Sequence, residues 1–328
     1  MRAALQRAWT RRGPLARLLW PVSLLFAALA AARRALYRAG VLRTHRAGVP
    51  VVVVGNVVAG GAGKTPVLIA LVQHLRAHGI AVGVVSRGHG RSSRGCLEVT
   101  PHTPAALAGD EPLLIARRCG VPVFVAERRI EAARALRSAH PQVQLIVSDD
   151  GLQHLALARD VEICVFDDRG VGNGWLLPAG PLREPWPRRV DLVLRSEDAP
   201  MSEGWPLRRR LAEHAVRADG ATASLSTWRD QPCDALAGIA RPEAFFTMLS
   251  ARGLQLRRAH VLPDHFAFAA GDRWAEPGVP LLCTEKDAVK LWQVEPQAWA
   301  VPLEVEIDPA FWAALDARLS SLHGSPAA

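Results

Sequence analysis

The chain has 328 residues, 49% of them hydrophobic and 22% charged, an ordinary globular composition that excludes intrinsic disorder. Its 26 glycines and 24 prolines follow no period, which excludes a collagen-like fibre, and no charge-free apolar run reaches the roughly 20 residues of a spanning helix, which excludes a polytopic membrane protein. The net charge of +9 is an N-terminal property: no acid precedes Glu98, residues 1–97 carry fifteen Lys or Arg, and residues 98–328 hold 25 bases against 31 acids. Such a segment attracts phosphates, anionic lipid or nucleic acid.

The first element is the charge-free run Leu18 to Ala32, with Arg2, Arg7, Arg11, Arg12 and Arg17 before it and Arg33, Arg34, Arg38, Arg43 and Arg46 after it. As a helix these residues span roughly 22 Å, short of the roughly 30 Å hydrocarbon core. With Trp9, Trp20 and Tyr37 at headgroup depth, the segment reads as an interfacial anchor lying on an anionic leaflet. A signal peptide and a buried core helix share the charged start and apolar centre. The basic residues that continue past the run, and the nucleotide loop beyond them, favour the anchor.

Val49 to Gly55 is a continuous β-branched run, as for a strand buried on both faces. It leads through Ala59-Gly60-Gly61-Ala62-Gly63-Lys64-Thr65 to Pro66, which opens an apolar helical stretch closed by Gly79. Strand, glycine loop, Lys-Thr and helix make a phosphate-binding arrangement: glycines let backbone N–H groups approach phosphate oxygens, and the helix N-terminus favours the anion. Lys64 meets the β/γ phosphates and Thr65 ligates Mg²⁺ in this reading. Val58 stands where the usual first glycine falls, so the loop is atypical. Ala59 lacks the second lysine of partition-type ATPases, and Thr284-Glu285-Lys286-Asp287 misses the spacing of a guanine-reading loop.

Further β-branched runs at Ile80–Val85, Val121–Val125, Val143–Ser148, Val161–Phe166 and Val190–Leu194 alternate with helical stretches at Pro112–Arg118 and Arg129–Ser138. The alternation predicts an α/β fold, a mostly parallel sheet flanked by helices, with ligands at the carboxyl ends of the strands. Asp149 and Asp150 sit at such an end before Gly151, where a carboxylate can hold Mg²⁺; a turn aspartate before glycine is the alternative. Asp110, in Gly-Asp-Glu-Pro, is either a helix N-cap or a general base for a hydroxyl nucleophile. His265, in Pro-Asp-His-Phe, is a second candidate that spacing alone does not connect to Asp110. Residues 195–220 read as polar and irregular. Cys96, Cys119, Cys164, Cys233 and Cys283 are odd in number without a CxxC pair, which argues against disulfides or a zinc site and fits a reducing compartment.

The segments VVVVGNVVAGGAGKTP, VGVVSRGHGR, AGDEP, SDDGLQH, LLPAGPLREP, LPDHFAF and CTEKDAVKL together resemble the tetraacyldisaccharide 4′-kinase family of lipid A biosynthesis, in family order from about residue 49 to 291. His89 and Leu152 stand where the family favours larger aromatics. The resemblance implies a P-loop kinase core and a smaller C-terminal α/β domain: an anchor over 1–45, a core over 46–195 and a second domain over 196–328. It implies transfer of the γ-phosphoryl of ATP to the 4′-hydroxyl of tetraacyldisaccharide 1-phosphate with Mg²⁺, on the cytoplasmic side of the bacterial inner membrane, by a peripheral enzyme. By it Asp110 matches the base and His265 its partner. Gly60 to Pro66, Arg183 and Glu184 match nucleotide-side residues, Asp149 and Asp150 match acids near the metal, and Gln153 and His154 match in location only. Neither an obligate protein partner nor nucleic acid is expected: apolar residues interrupt the N-terminal arginines and no stacking pattern accompanies them. A membrane-recruited ATPase switch explains the loop and anchor equally well.

Overall fold

The computed structural model describes residue 5, residues 7–61 and residues 63–323. The helix Pro14–Arg38 outruns the charge-free segment because Ala31 to Arg38 contains strong helix formers, so its arginines do not end it. Its 25 residues reach roughly 37 Å, and among the described residues it is the one helix long and apolar enough to cross a membrane. Leu18, Val22, Leu25 and Leu29 form an exposed stripe along one helical face, with Leu18 76% exposed. That exposure removes the core-helix alternative. Ser23, midway along the helix, is buried: its Oγ donates to Leu176 O at 2.9 Å and accepts from Ala179 N at 2.9 Å.

The strands follow as β1 (Val51–Gly55), β2 (Val82–Ser86), β3 (Leu97–Val99), β4 (Val123–Val125), β5 (Leu145–Asp149), β6 (Val161–Phe166), β7 (Leu192–Ser196) and β8 (Trp205–Leu211). Then come β9 (His214–Val216), β10 (Thr222–Ser224), β11 (Pro232–Ala237), β12 (Gln255–Val261), β13 (Leu281–Thr284), β14 (Trp299–Val301) and β15 (Leu303–Ile307). The stretch read as irregular contains β8, where Leu207 and Leu211 are buried and Arg208 faces solvent; three consecutive arginines hide the alternation.

Two compact units result, and neither is one continuous segment. The first comprises Met1–Arg87, Val121–Arg208 and Ile307–Ala328; the second comprises Gly88–Gly120 and Arg209–Glu306. This differs from the consecutive division expected over 46–195 and 196–328. Residues 88–120 join the later unit because the helix Asp110–Cys119 buries Leu113, Ile115 and Ala116, and its Arg118 meets Glu285 at 2.5 Å. The last helix, Pro309–His323, belongs to the first unit, with Phe311 buried 5.8 Å from the Trp205 ring.

Within the first unit the strands run in the order β8-β7-β6-β1-β5-β2-β4, each neighbouring pair parallel. Helices Lys64–Ala77 and Arg129–Ala139 cover the sheet with Leu68, Leu71, Leu75, Ile130 and Leu136, which is why the four valines of β1 are all buried. The strand order reverses at β1, and β1 and its neighbour β5 end at Gly55 and Asp149, where an open sheet of this kind forms its ligand crevice. The second unit is built on the sheet β10-β9-β14-β13-β11-β12, parallel from β14 to β12 and antiparallel at β9 and β10. Trp228, Phe245, Leu249, Leu282 and Val301 form its core.

Candidate active site

In the first unit, the helix after the glycine loop begins at Lys64 rather than Pro66, which falls within the first turn, where its missing N–H has no intrahelical acceptor to lose. Gly63 is its N-cap at φ 65°, a left-handed conformation that glycine adopts without strain. No side chain caps this N-terminus among the described residues, so its first N–H groups remain available to an anion. Gly60, Gly61 and Thr65 accompany it, while Ala62 lies outside the described residues.

The segment carrying Arg183 and Glu184 is laid against this loop: Ala59 N donates to Pro181 O at 2.7 Å and Arg183 N to Val57 O at 2.7 Å. Arg183 Nη1 thereby reaches Asp150 Oδ2 at 3.1 Å, and Lys64 Nζ lies 3.4 Å from Asp150 Oδ1. Burial alone would raise the Asp150 pKa, but Lys64, Arg183 and Arg129 outweigh it and keep the carboxyl below its ordinary range. Asp149 accepts from Ser86 Oγ at 2.9 Å, and buried Arg129 donates to the carbonyls of Asp149 and Asp150 at 3.3 and 3.0 Å. Thr65, Asp149 and Asp150 offer oxygen donors only, a hard set that suits Mg²⁺.

Glu184 is buried rather than open to a ligand. It accepts from Gln153 Nε2 at 2.6 Å and pairs with Arg188 at 3.3 Å. His154 sits among cations: burial first, then the charges of Arg129, Arg159, Arg33 and Arg87, push its pKa down to about 4, so it is neutral at pH 7.

In the second unit, the N-cap of the helix Asp110–Cys119 is Gly109, at φ 88°; a Cβ there would come within 3.0 Å of His89 O. Asp110 is therefore the first helical residue and not the cap, and its side chain is directed elsewhere. Asp110 Oδ2 accepts from His265 Nδ1 at 2.9 Å and from Lys290 Nζ at 2.9 Å. With Nδ1 donating, His265 Nε2 faces Lys286 Nζ at 3.3 Å, and that ammonium also meets Asp264 at 3.1 Å. Lys286 and Lys290 stand four apart on the helix Glu285–Leu291 and so share a face. Thr284 caps this helix by accepting from Asp287 N at 3.1 Å, and Asp287 Oδ2 accepts from Gly238 N at 2.9 Å. Burial would raise the Asp110 pKa, but the hydrogen bonds and charges of His265 and Lys290 overcome it, so Asp110 stays ionised below the ordinary carboxylate range. The His89 ring lies edge-on to His265 at 5.9 Å, so the departure from a larger aromatic keeps a ring in that place.

Among the described residues, Asp150 and His265 are the two non-glycine residues with positive φ, at 45° and 63°. Such conformations cost energy and gather at functional positions.

The LpxK family model, Tetraacyldisaccharide-1-P 4'-kinase, matches residues 15–320. The chain belongs to this kinase family. The Tetraacyldisaccharide 4'-kinase of Acidovorax sp. (strain JS42) is 59% identical over 324 residues, covering 98% of this chain and 96% of that protein. That of Polaromonas naphthalenivorans (strain CJ2) is 58% identical over 330 residues, with 98% and 96% covered. The crystal structure of LpxK from Aquifex aeolicus in complex with ATP is 28% identical with a TM-score of 0.83, covering 94% of this chain and 99% of that one.

The residues expected of an LpxK kinase thus fall into two clusters, one in each unit. Lys64, Thr65, Asp149, Asp150 and Arg183 gather around the loop, and Asp110 joins His265. Sequence reasoning missed Arg129, Ser86, Lys286, Lys290, Asn56, whose Oδ1 accepts from Lys64 Nζ at 3.4 Å, and Arg169, whose Nη2 donates to Gly61 O at 3.0 Å. A signal existed for the lysines: of 40 Lys and Arg only Lys64, Lys286 and Lys290 are lysine, and all three reach carboxylates.

Proposed function

We propose that the chain transfers the γ-phosphoryl group of ATP to the 4′-hydroxyl of tetraacyldisaccharide 1-phosphate, with Asp110 accepting the hydroxyl proton. The observation that carries this reading is the Asp110–His265–Lys290 cluster, a carboxylate kept ionised at neutral pH and fixed in direction by two donors. A carboxylate of lowered pKa is a weak base, but phosphoryl transfer proceeds through a loose transition state in which little covalent help is needed from the base. The hydroxyl becomes acidic as its bond to phosphorus forms, so a weak, well-placed acceptor suffices. His265 directs the carboxylate, and Lys290 holds its charge.

On the nucleotide side, the loop N–H groups and Lys64 bind the phosphates, and Arg183 neutralises negative charge beside Asp150. Thr65, Asp149 and Asp150 are the oxygen donors that would hold Mg²⁺, which screens phosphate charge when bound. The Leu18–Leu29 stripe supports a helix lying in the interface rather than spanning it. Ser23, at its middle, is bonded to the loop Leu176–Ala179, which would have to enter the hydrocarbon with a spanning helix. Lipid chains can then stay in the bilayer while the sugar meets ATP in water.

The test follows ³²P from γ-labelled ATP into detergent-dispersed tetraacyldisaccharide 1-phosphate. Labelled lipid with the wild-type chain, and none with Asp110→Ala, supports the assignment. Free phosphate without labelled lipid would instead favour the membrane-recruited ATPase switch.

A further inference from the structure

The helix that starts at the phosphate loop ends in a feature that phosphoryl transfer does not use. His74 lies in its last turn and His78 closes it. Spacing of four places both imidazoles on one face, a turn apart. Their ring centroids are 4.3 Å apart. Asp316, from the helix Pro309–His323, brings Oδ1 to 2.9 Å from His74 Nε2. One ligand atom from each of the three residues lies within 4.8 Å of the other two.

Both rings are already oriented. His78 Nδ1 donates to the backbone carbonyl of His74 at 2.8 Å, which leaves Nε2 as the nitrogen with the free lone pair. Metal-ligating histidines are fixed in the same manner, by donating their other ring N–H to a carbonyl or carboxylate. The His74 ring stacks on Trp312, with centroids 4.3 Å apart and planes 16° from parallel. His78 is exposed, so an ion has access from solvent.

We propose that His74, His78 and Asp316 form a binding site for a divalent transition-metal ion of the zinc class, with water completing its coordination. Two imidazole nitrogens and one carboxylate suit Zn²⁺ and are unlike the all-oxygen set that Mg²⁺ takes, so this ion is separate from the one that accompanies ATP. On binding, the ring proton of neutral His74 moves from Nε2 to Nδ1, the metal takes the Nε2 lone pair, and the Asp316 carboxylate turns from that proton to the ion. The site is structural: it ties the far end of the phosphate-loop helix, about 15 Å along its axis from Lys64, to a residue 242 positions away in the chain.

The experiment uses the full, untagged chain, stripped with EDTA and dialysed, and titrated with Zn²⁺ alone by calorimetry at neutral pH. One equivalent is expected to bind and to raise the melting temperature. His78→Ala, an exposed position, should melt as wild type does in EDTA, bind Zn²⁺ at least about tenfold more weakly, and lose the thermal shift. Asp316→Asn should weaken binding in the same direction. Co²⁺ should give the visible absorption of a tetrahedral site in the wild-type chain, with no variant needed. Absence of that absorption, absence of saturable Zn²⁺ binding, or equal affinity in wild type and His78→Ala would each overturn the proposal.

Discussion

The two clusters of candidate residues, one in each unit, handle charge in opposite ways. Around the glycine loop, one carboxylate, Asp150, is met by Lys64 and Arg183, and Arg129 fastens the backbone beneath it. That cluster has cation and N–H to spare, as a site for a polyphosphate must. Around Asp110 the balance is nearly even: Asp110, Glu111 and Asp264 stand against Lys286 and Lys290, with His265 between them. An excess of either sign there would be a fault. More positive charge there would weaken the carboxylate's affinity for a proton, and less would raise its pKa. Binding an anion calls for surplus; accepting a proton calls for balance.

The largest test of this contrast is Asp110→Ala. Lipid phosphorylation should fall on the order of a thousandfold, while nucleotide binding, measured by fluorescence titration, stays within error of wild type. Loss of ATP binding as well would break the separation between the two clusters. Lys64→Ala should act on the loop cluster, lowering kcat/KM for ATP on the order of a hundredfold without disturbing the melting temperature by more than a few degrees. Replacing Leu18, Leu25 and Leu29 together with Ser removes apolar burial worth about 1.5 kcal/mol or more per residue, and flotation with anionic liposomes should fall more than tenfold. Unchanged flotation would leave the exposed stripe without a role.

The smallest effect sharpens the comparison most. Lys290→Ala removes a donor and a positive charge that hold the Asp110 pKa down, so that pKa rises. The acid limb of the pH–rate profile should then move to higher pH, and a limb that stays in place would take Lys290 out of the argument. The linked stability has the same sign. A carboxylate depressed in the folded state contributes stability that is present above its unfolded value and lost as pH falls through the folded one. In the Lys290→Ala chain that contribution shrinks, and its loss is complete at a higher pH.

The phosphate loop was legible because all its parts are local: a buried valine strand, glycines, Lys-Thr and a helix follow one another within one stretch of chain. Asp110 and His265 are 155 residues apart, and only the tertiary fold makes them a pair. Arg129 was invisible for a different reason. In a chain where nearly every base is arginine, one more arginine carries no signal, whereas the three lysines did. The N-terminal apolar helix runs past its charge-free segment because Arg33, Arg34 and Arg38 are compatible with helix. Gly88–Gly120 gave no hint of its unit, since an amphipathic helix shows that it needs a core but not which one.

The chain crosses between its two units at residues 87–88, 120–121, 208–209 and 306–307. Neither unit is formed by one uninterrupted stretch of sequence. A protease nick at one crossing divides a unit between two fragments with no covalent link between them, and a truncated gene product cannot supply one unit complete without part of the other. Synthesis meets the same constraint. The first unit is incomplete until the helix Pro309–His323, which follows the second unit in the chain, has been made.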